Sequence, residues 1–253
     1  MKMKATLFCA ASLVLAASLP AHADEKREQS YMVGADVDTL GRVVAVQFDT
    51  DTPAVFTGFL GAAIKQWRFN PAMIDGKPAS AHTFIWAKLM AFPGAHGDYG
   101  VRISFEGNGP KLIKDGALPT YPPNAVRRRE SAFAILDVAV QPDGSLKDAK
   151  VSSQFDDWPV RDFQAAVLAM AKKWHGIPEQ VNGRPVVTRM RIPINFTLSP
   201  PSFTEQQVRI LRKAAHQEKL EDAQPGIPWP SEQPVALDSP LQPSAVGTIS
   251  SAP

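Results

Sequence analysis

The amino-acid sequence predicts an α+β protein: two tandem ββαβ modules, each a three-stranded antiparallel sheet with one helix packed on it, plus a C-terminal helix and a disordered tail. Three observations lead there. The segment Trp67-x3-Pro71-x4-Gly76-Lys77-Pro78 returns 107 residues later as Trp174-x3-Pro178-x4-Gly183-Arg184-Pro185. Apolar residues recur at helical spacing before each Trp. Strict alternation before and after each helix reads as strands with one buried face.

The elements follow in chain order. Met1 to Lys4 is a basic start, Leu7 to Leu19 an apolar run, and Pro20-Ala21-His22-Ala23 a small-x-small cleavage site, so residues 1–23 read as a secretory signal cut between Ala23 and Asp24. The run has about 13 residues, short of the roughly 20 that cross a bilayer. In the first module, 24–95, Met32 to Val37 and Val43 to Phe48 form a hairpin. Thr52-Pro53 then opens a helix carrying Val55 or Phe56, Phe59, Leu60, Ala63, Ile64 and Trp67. Residues 96–114 read as a Gly- and Pro-rich linker in which Val101 to Phe105 form at most a short strand.

The second module, 115–200, repeats the order. Ala134, Leu136, Val138 and Val140 alternate before the turn Pro142-Asp143-Gly144, and Leu146 to Val151 resumes as a strand. Val160, Phe163, Val167, Met170 and Trp174 line one side of a helix. From Val186 to Leu198, Thr188, Met190, Ile192, Ile194 and Phe196 share one face and Val187, Arg189, Arg191, Pro193 and Asn195 the other. Trp67, Pro71, Gly76, Trp174, Pro178 and Gly183 are fold-defining: the Trp packs the helix end on the sheet, the Pro stops the helix and the Gly turns the chain. Residues 201–223 open on a capping box, Ser202 to Glu205, and read as a helix. Residues 224–253 read as a disordered tail, because 7 prolines in the last 29 residues leave little apolar surface to bury.

Composition excludes several classes. A formal charge of +2 is too small for a nucleic-acid binder, and a single cysteine, Cys9, provides neither a disulfide framework nor a Cys-based zinc site. Loss of the signal takes Lys2 and Lys4 from the 27 basic residues, leaving 25 against 25 acidic ones in a cysteine-free chain. His82, His96, His175 and His216 have no metal-ligand spacing, and no phosphate loop or nucleophile elbow is present. No catalysis, metal or cofactor is therefore expected.

The second module resembles the C-terminal domain of the TonB family, the periplasmic end of an energy transducer that engages outer-membrane receptors. The resemblance rests on Tyr121-Pro122 with Ala125, Pro142-Asp143-Gly144, the helix ending in Trp174, Pro178 with Gly183-Arg184-Pro185, and Ile192-Pro193-Ile194-Asn195-Phe196. It is good over about 115–200; the first module matches more weakly. A TonB transducer keeps an N-terminal membrane helix and a long Pro-rich spacer, which this chain lacks in that order.

The resemblance implies a soluble periplasmic protein-binding module, in which an extended partner segment adds beside the last strand by β-augmentation. Proline has no N–H for a ladder, so Pro193 places an open edge there. Tyr121, Pro122, Arg127, Arg128, Val187, Arg189, Arg191, Pro193 and Asn195 are the partner-binding candidates. The same outward residues also serve to guard an edge against aggregation. Phe84, Trp86 and Met90, on the outward face of the first module, are expected to pack on the second module or take a partner. The expected partner is a protein: an outer-membrane receptor, an envelope complex, or a second copy in a homodimer. A structural envelope module whose sheet edges pair, and a transducer held in the membrane by residues 1–23, are the alternatives.

Overall fold

The computed structural model describes residues 27–93, 99–114, 116, 118–153, 160–196 and 233–251. Among these, antiparallel strands dominate and helices are few. The expectations for the signal and its cleavage between Ala23 and Asp24 and for the helix at 201–223 lie outside the described residues.

Alternation builds the first hairpin. β1 (Arg27–Val37) buries Tyr31, Val33, Ala35 and Val37 and pairs antiparallel with β2 (Val43–Phe48). In the turn, the Asp38 carboxylate accepts hydrogen bonds from the backbone N–H groups of Leu40 and Arg42, both at 2.9 Å. Gly41 closes it at φ +74°, in the left-handed region that suits glycine. Its carbonyl accepts from the Phe69 N–H at 2.9 Å, so the turn is clamped to the chain beyond the next helix.

That helix, α1 (Ala54–Ile64), buries Leu60, Gly61, Ala63 and Ile64, while Val55 and Phe59 of the expected apolar stripe stay exposed. It ends at Ile64, and Trp67 lies beyond it, 1% exposed, packed edge to face with Phe105 at 5.4 Å between ring centroids. β3 (Arg68–Asn70) precedes Pro71, and β4 (Ala72–Ile74) and β5 (Lys77–Ala79) make a tight hairpin through Asp75-Gly76. The proline therefore does not stop the helix as expected; it separates two short strands. β6 (Ala81–Pro93) pairs along its length with β1, giving the order β2-β1-β6.

The expected linker is a strand. β7 (Tyr99–Gly109) pairs with β6 from Phe84 to Pro93, burying Val101, Ile103 and Phe105 in the first core. Its apolar residues alternate, and the mate that alternation calls for was already in place on β6. β8 (Lys111–Ile113) follows.

The second half opens with a short helix, α2 (Pro123–Arg128), then β9 (Ala132–Val140) and β10 (Leu146–Ser153). α3 (Val160–Ala171) directs Phe163, Val167 and Met170 into a second core with Trp174. Burying one such side chain contributes roughly 1.5–3 kcal/mol. β11 (His175–Ile177) pairs with β8, and β12 (Gln180–Val181) and β13 (Arg184–Pro185) form a hairpin through Asn182-Gly183. Asn182 and Gly183 have φ of 48° and 73°, close to the 49° and 74° of Asp75 and Gly76; both pairs adopt the left-handed geometry of a tight hairpin. β14 (Thr188–Phe196) pairs with β9 over nine residues, for the order β10-β9-β14.

Two departures change the architecture. The β12–β13 hairpin docks on β6, through Gln180 opposite His82 and Val181 opposite Ala81, so the second half completes the first sheet. The tail is not disordered where it is described. β15 (Val235–Ala236) joins β14, β16 (Gln242–Ala245) joins β3, and β17 (Ile249–Ser251) joins β7. Among the described residues the result is a seven-stranded sheet, a four-stranded sheet and three two-stranded ones rather than two sheets of three. Val235 and Leu241 are buried in the first core together with Ile135 and Val181. The few apolar residues of the tail thus fill seams between larger elements, which composition alone cannot reveal.

Candidate functional site

The candidate site is the outer edge of β14. Leu237 donates its N–H to the Arg189 carbonyl at 2.8 Å, and the Arg189 N–H donates to Asp238 Oδ1 at 2.6 Å. The backbone groups of Arg189 therefore point away from β9. Alternate residues of a strand point the same way, so Arg191, Pro193 and Asn195 address the same edge. Pro193, which has no N–H, loses nothing on the β9 side by sitting there, which is why proline is tolerated in this strand.

The edge is not open along its whole length. β15 adds antiparallel to it, with Ala236 opposite Met190 and Val235 opposite Arg191. Asp238 Oδ2 accepts from Arg189 Nε at 2.7 Å, and Arg191 makes a forked pair with Asp137 of β9 at 2.8 and 3.2 Å. Both guanidiniums thus have carboxylates, one across the sheet and one in the tail. Side-chain alternation agrees with expectation: Thr188, Met190, Ile192, Ile194 and Phe196 are buried, and Arg189 and Asn195 exposed. Val187 precedes the strand and is 49% exposed.

The other candidates do not converge on this edge. Tyr121 wedges its ring against Phe163 and Phe196, at 5.7 and 5.5 Å, and its hydroxyl donates to the Glu130 carbonyl. Pro122 is buried at the start of α2. Arg127 and Arg128 lie exposed in the last turn of α2; Arg127 donates to Asn124 and Arg128 pairs with Glu130 at 2.7 Å. Phe84, Trp86 and Met90 are half-buried. They alternate with Ile85, Ala87 and Leu89, and it is those residues that share a core with Ile135 and Val181 of the second half. The halves therefore meet on the opposite face of β6 from the one expected.

Sequence reasoning missed Glu179, which stands between β11 and β12 and is fully buried. It accepts hydrogen bonds from Thr83 of β6 at 2.6 Å, Thr188 of β14 at 2.9 Å and Ser239 of the tail at 2.8 Å. Burial pushes its carboxyl above the ordinary carboxylate range, against the pull of the three hydroxyls. The position 107 residues earlier, at the offset that relates the two Trp-to-Pro segments, is Ala72, itself buried; a glutamate opposite a small buried residue was the signal available in the sequence. Among the described residues no group of three or more His, Cys, Asp or Glu could hold a metal, and no helix is long and apolar enough to cross a membrane.

Comparison with known proteins finds a likeness confined to the second half. Residues 117–198 match the family described as Gram-negative bacterial TonB protein C-terminal. That stretch holds α2, β9, β10, α3 and β11 to β14. Two proteins each called Protein TonB, from the B100 and ATCC 33913 strains of Xanthomonas campestris pv. campestris, are 33% identical over 81 residues, 32% of this chain and 35% of theirs. The chain thus spans about a third of the length of the curated relatives it matches. TonB proteins serve transport and are not enzymes, in keeping with the expectation of no catalysis.

Proposed function

We propose that this chain is a periplasmic protein-binding module of TonB type, acting in TonB-dependent transport across the outer membrane by adding a partner's extended segment to the edge of β14. The observation that carries the reading is the coincidence of the TonB match at 117–198 with a strand whose outward backbone groups run from Arg189 through Pro193. Main-chain hydrogen bonds would supply affinity and the outward side chains selectivity. We read the two halves as copies of one ββαβ module, supported by the like strand orders β2-β1-β6 and β10-β9-β14 and the like turns at Gly76 and Gly183. The signal cut between Ala23 and Asp24 belongs to the same proposal.

The test is capture of outer-membrane receptors by the chain carrying Arg191→Pro, with Arg191→Ala as control. Both variants lose the Asp137 pair, but only proline removes the outward N–H. Capture by Arg191→Ala and loss with Arg191→Pro is expected; equal capture by both sinks strand addition at this edge.

A second reading has one observation in its favour. β2 ends the first sheet, and Val44 on it is 54% exposed. Pairing of two β2 strands would make a homodimer, which light scattering of the full chain would detect.

A further inference from the structure

The tail segment on β14 has the geometry of a strand-addition ligand. It runs antiparallel, sets Val235 and Ala236 opposite Arg191 and Met190, and gives its Leu237 N–H to the Arg189 carbonyl at 2.8 Å. One residue on, the Asp238 carboxylate takes both the backbone N–H and the Nε of Arg189, at 2.6 and 2.7 Å. Such a charge-assisted fork fixes register as well as strength.

The attachment is short. β15 has two residues on β14, whereas β9 holds β14 over nine. Beside it lies a cavity of about 310 Å³ lined by Asp137, Asp148, Lys150, Arg189, Arg191 and Leu237. Beyond Asp238 the tail is held differently: Ser239 bonds Glu179 at 2.8 Å and Asn108 at 2.9 Å, and Asn108 also donates to the Leu241 carbonyl at 3.0 Å. These anchors belong to the first half and to the hairpin docked on it. To leave β14, residues up to Asp238 must also withdraw Val235 from the first core, where it is 2% exposed, while those from Ser239 onward stay in place.

We infer that Val235–Asp238 is a built-in occupant of the partner edge, and that the partner is an extended segment of the same chemistry, small apolar residues followed by a carboxylate that replaces Asp238 on Arg189. This rests on the strand-addition reading of β14. Binding is then an exchange: the incoming strand takes the ladder positions of Val235 and Ala236, and the tail hinges away at Ser239. A covered edge is also protected from pairing with other chains.

The probe is a fluorescent peptide copying Gln233 to Gln242, added to the full chain. Leu237→Pro removes the N–H given to Arg189, and Asp238→Ala, at an exposed position, removes the fork. The wild type should bind the peptide at least tenfold more weakly than Leu237→Pro, with Asp238→Ala between. A peptide with Asp238→Ala should lose most of its affinity for Leu237→Pro. Met190→Cys with Ala236→Cys, in a Cys9→Ser background, locks the tail down when oxidised; the peptide should be excluded and readmitted on reduction. Equal binding by wild type and Leu237→Pro overturns the inference, as does binding by neither when both are folded.

Where Leu237→Pro fails to fold, hydrogen exchange of the wild type decides. The Leu237 amide should exchange at least tenfold faster than that of Ile192, which faces β9; equal protection overturns the exchange. Probe and site both come from this chain, so failure of the transport reading leaves these outcomes unchanged. A receptor segment that binds wild type and Leu237→Pro equally well would refute exchange and leave strand addition standing.

Discussion

Glu179→Ala tests whether the tail and the two halves are held by one buried carboxylate. The substitution takes the acceptor from the hydroxyls of Thr83, Thr188 and Ser239, three groups with almost no access to water. An unsatisfied buried donor costs about 1–3 kcal/mol, and the cavity left by the side chain adds to it. Against this, the buried carboxylate is itself unfavourable, and its removal returns part of the loss. The net expectation is about 2–4 kcal/mol of destabilisation in urea unfolding of the full chain, with faster exchange of amides from Val235 to Leu241. Glu179→Gln keeps a carbonyl acceptor and nearly the same volume, so about 1 kcal/mol is expected. A loss below about 1 kcal/mol for Glu179→Ala, or equal losses for both variants, would refute the staple.

The same residue sets a pH dependence whose sign is definite. Burial raises the Glu179 pKa in the folded chain, so the native state keeps a proton that the unfolded state has already released. The native state binds more protons, and stability must fall as pH rises from the ordinary carboxylate range through the raised folded value. The wild type should therefore gain on Glu179→Gln as pH is lowered through that window; an advantage that grows toward neutral pH would contradict it. Gly41→Ala should cost more than Gly183→Ala in thermal unfolding. Both glycines have φ above +70°, but an added Cβ at Gly41 meets the Phe69 carbonyl oxygen at 1.8 Å while at Gly183 nothing lies within 4 Å. Backbone strain alone, about 1 kcal/mol, is expected at Gly183, and equal costs would mean the Gly41 clamp is not rigid. Trp67→Phe removes the indole donor to the Gly247 carbonyl, 2.9 Å away, and should cost about 1–2 kcal/mol with faster proteolysis near Gly247; unchanged proteolysis would show that the tail is held without it.

What was legible in the sequence is local. Val33 to Val37, Leu136 to Val140 and Met190 to Phe196 alternate because a strand has two faces, and Phe163, Val167 and Met170 recur because a helix face repeats every three or four residues. Gly76 and Gly183 turn the chain wherever a tight hairpin needs positive φ. The outward row Arg189, Arg191, Pro193 and Asn195 followed from the same alternation, and so the candidate edge itself was readable.

What only the tertiary structure decided is who sits beside whom. Val101 to Phe105 reads as a weak strand until β6 supplies ten residues of ladder. Val235, Ala236 and Leu241 are too few among prolines to form a core of their own, yet each fills a seam already shaped by both halves. Glu179 reads as a solvated loop residue until Thr83, Thr188 and Ser239 arrive from three distant segments. Periodicity records which face of an element is buried, but not the partner that buries it, because the free energy of that contact depends on surfaces far apart in the chain. That is also why the last strand announced an edge without announcing that the chain's own tail lies on it.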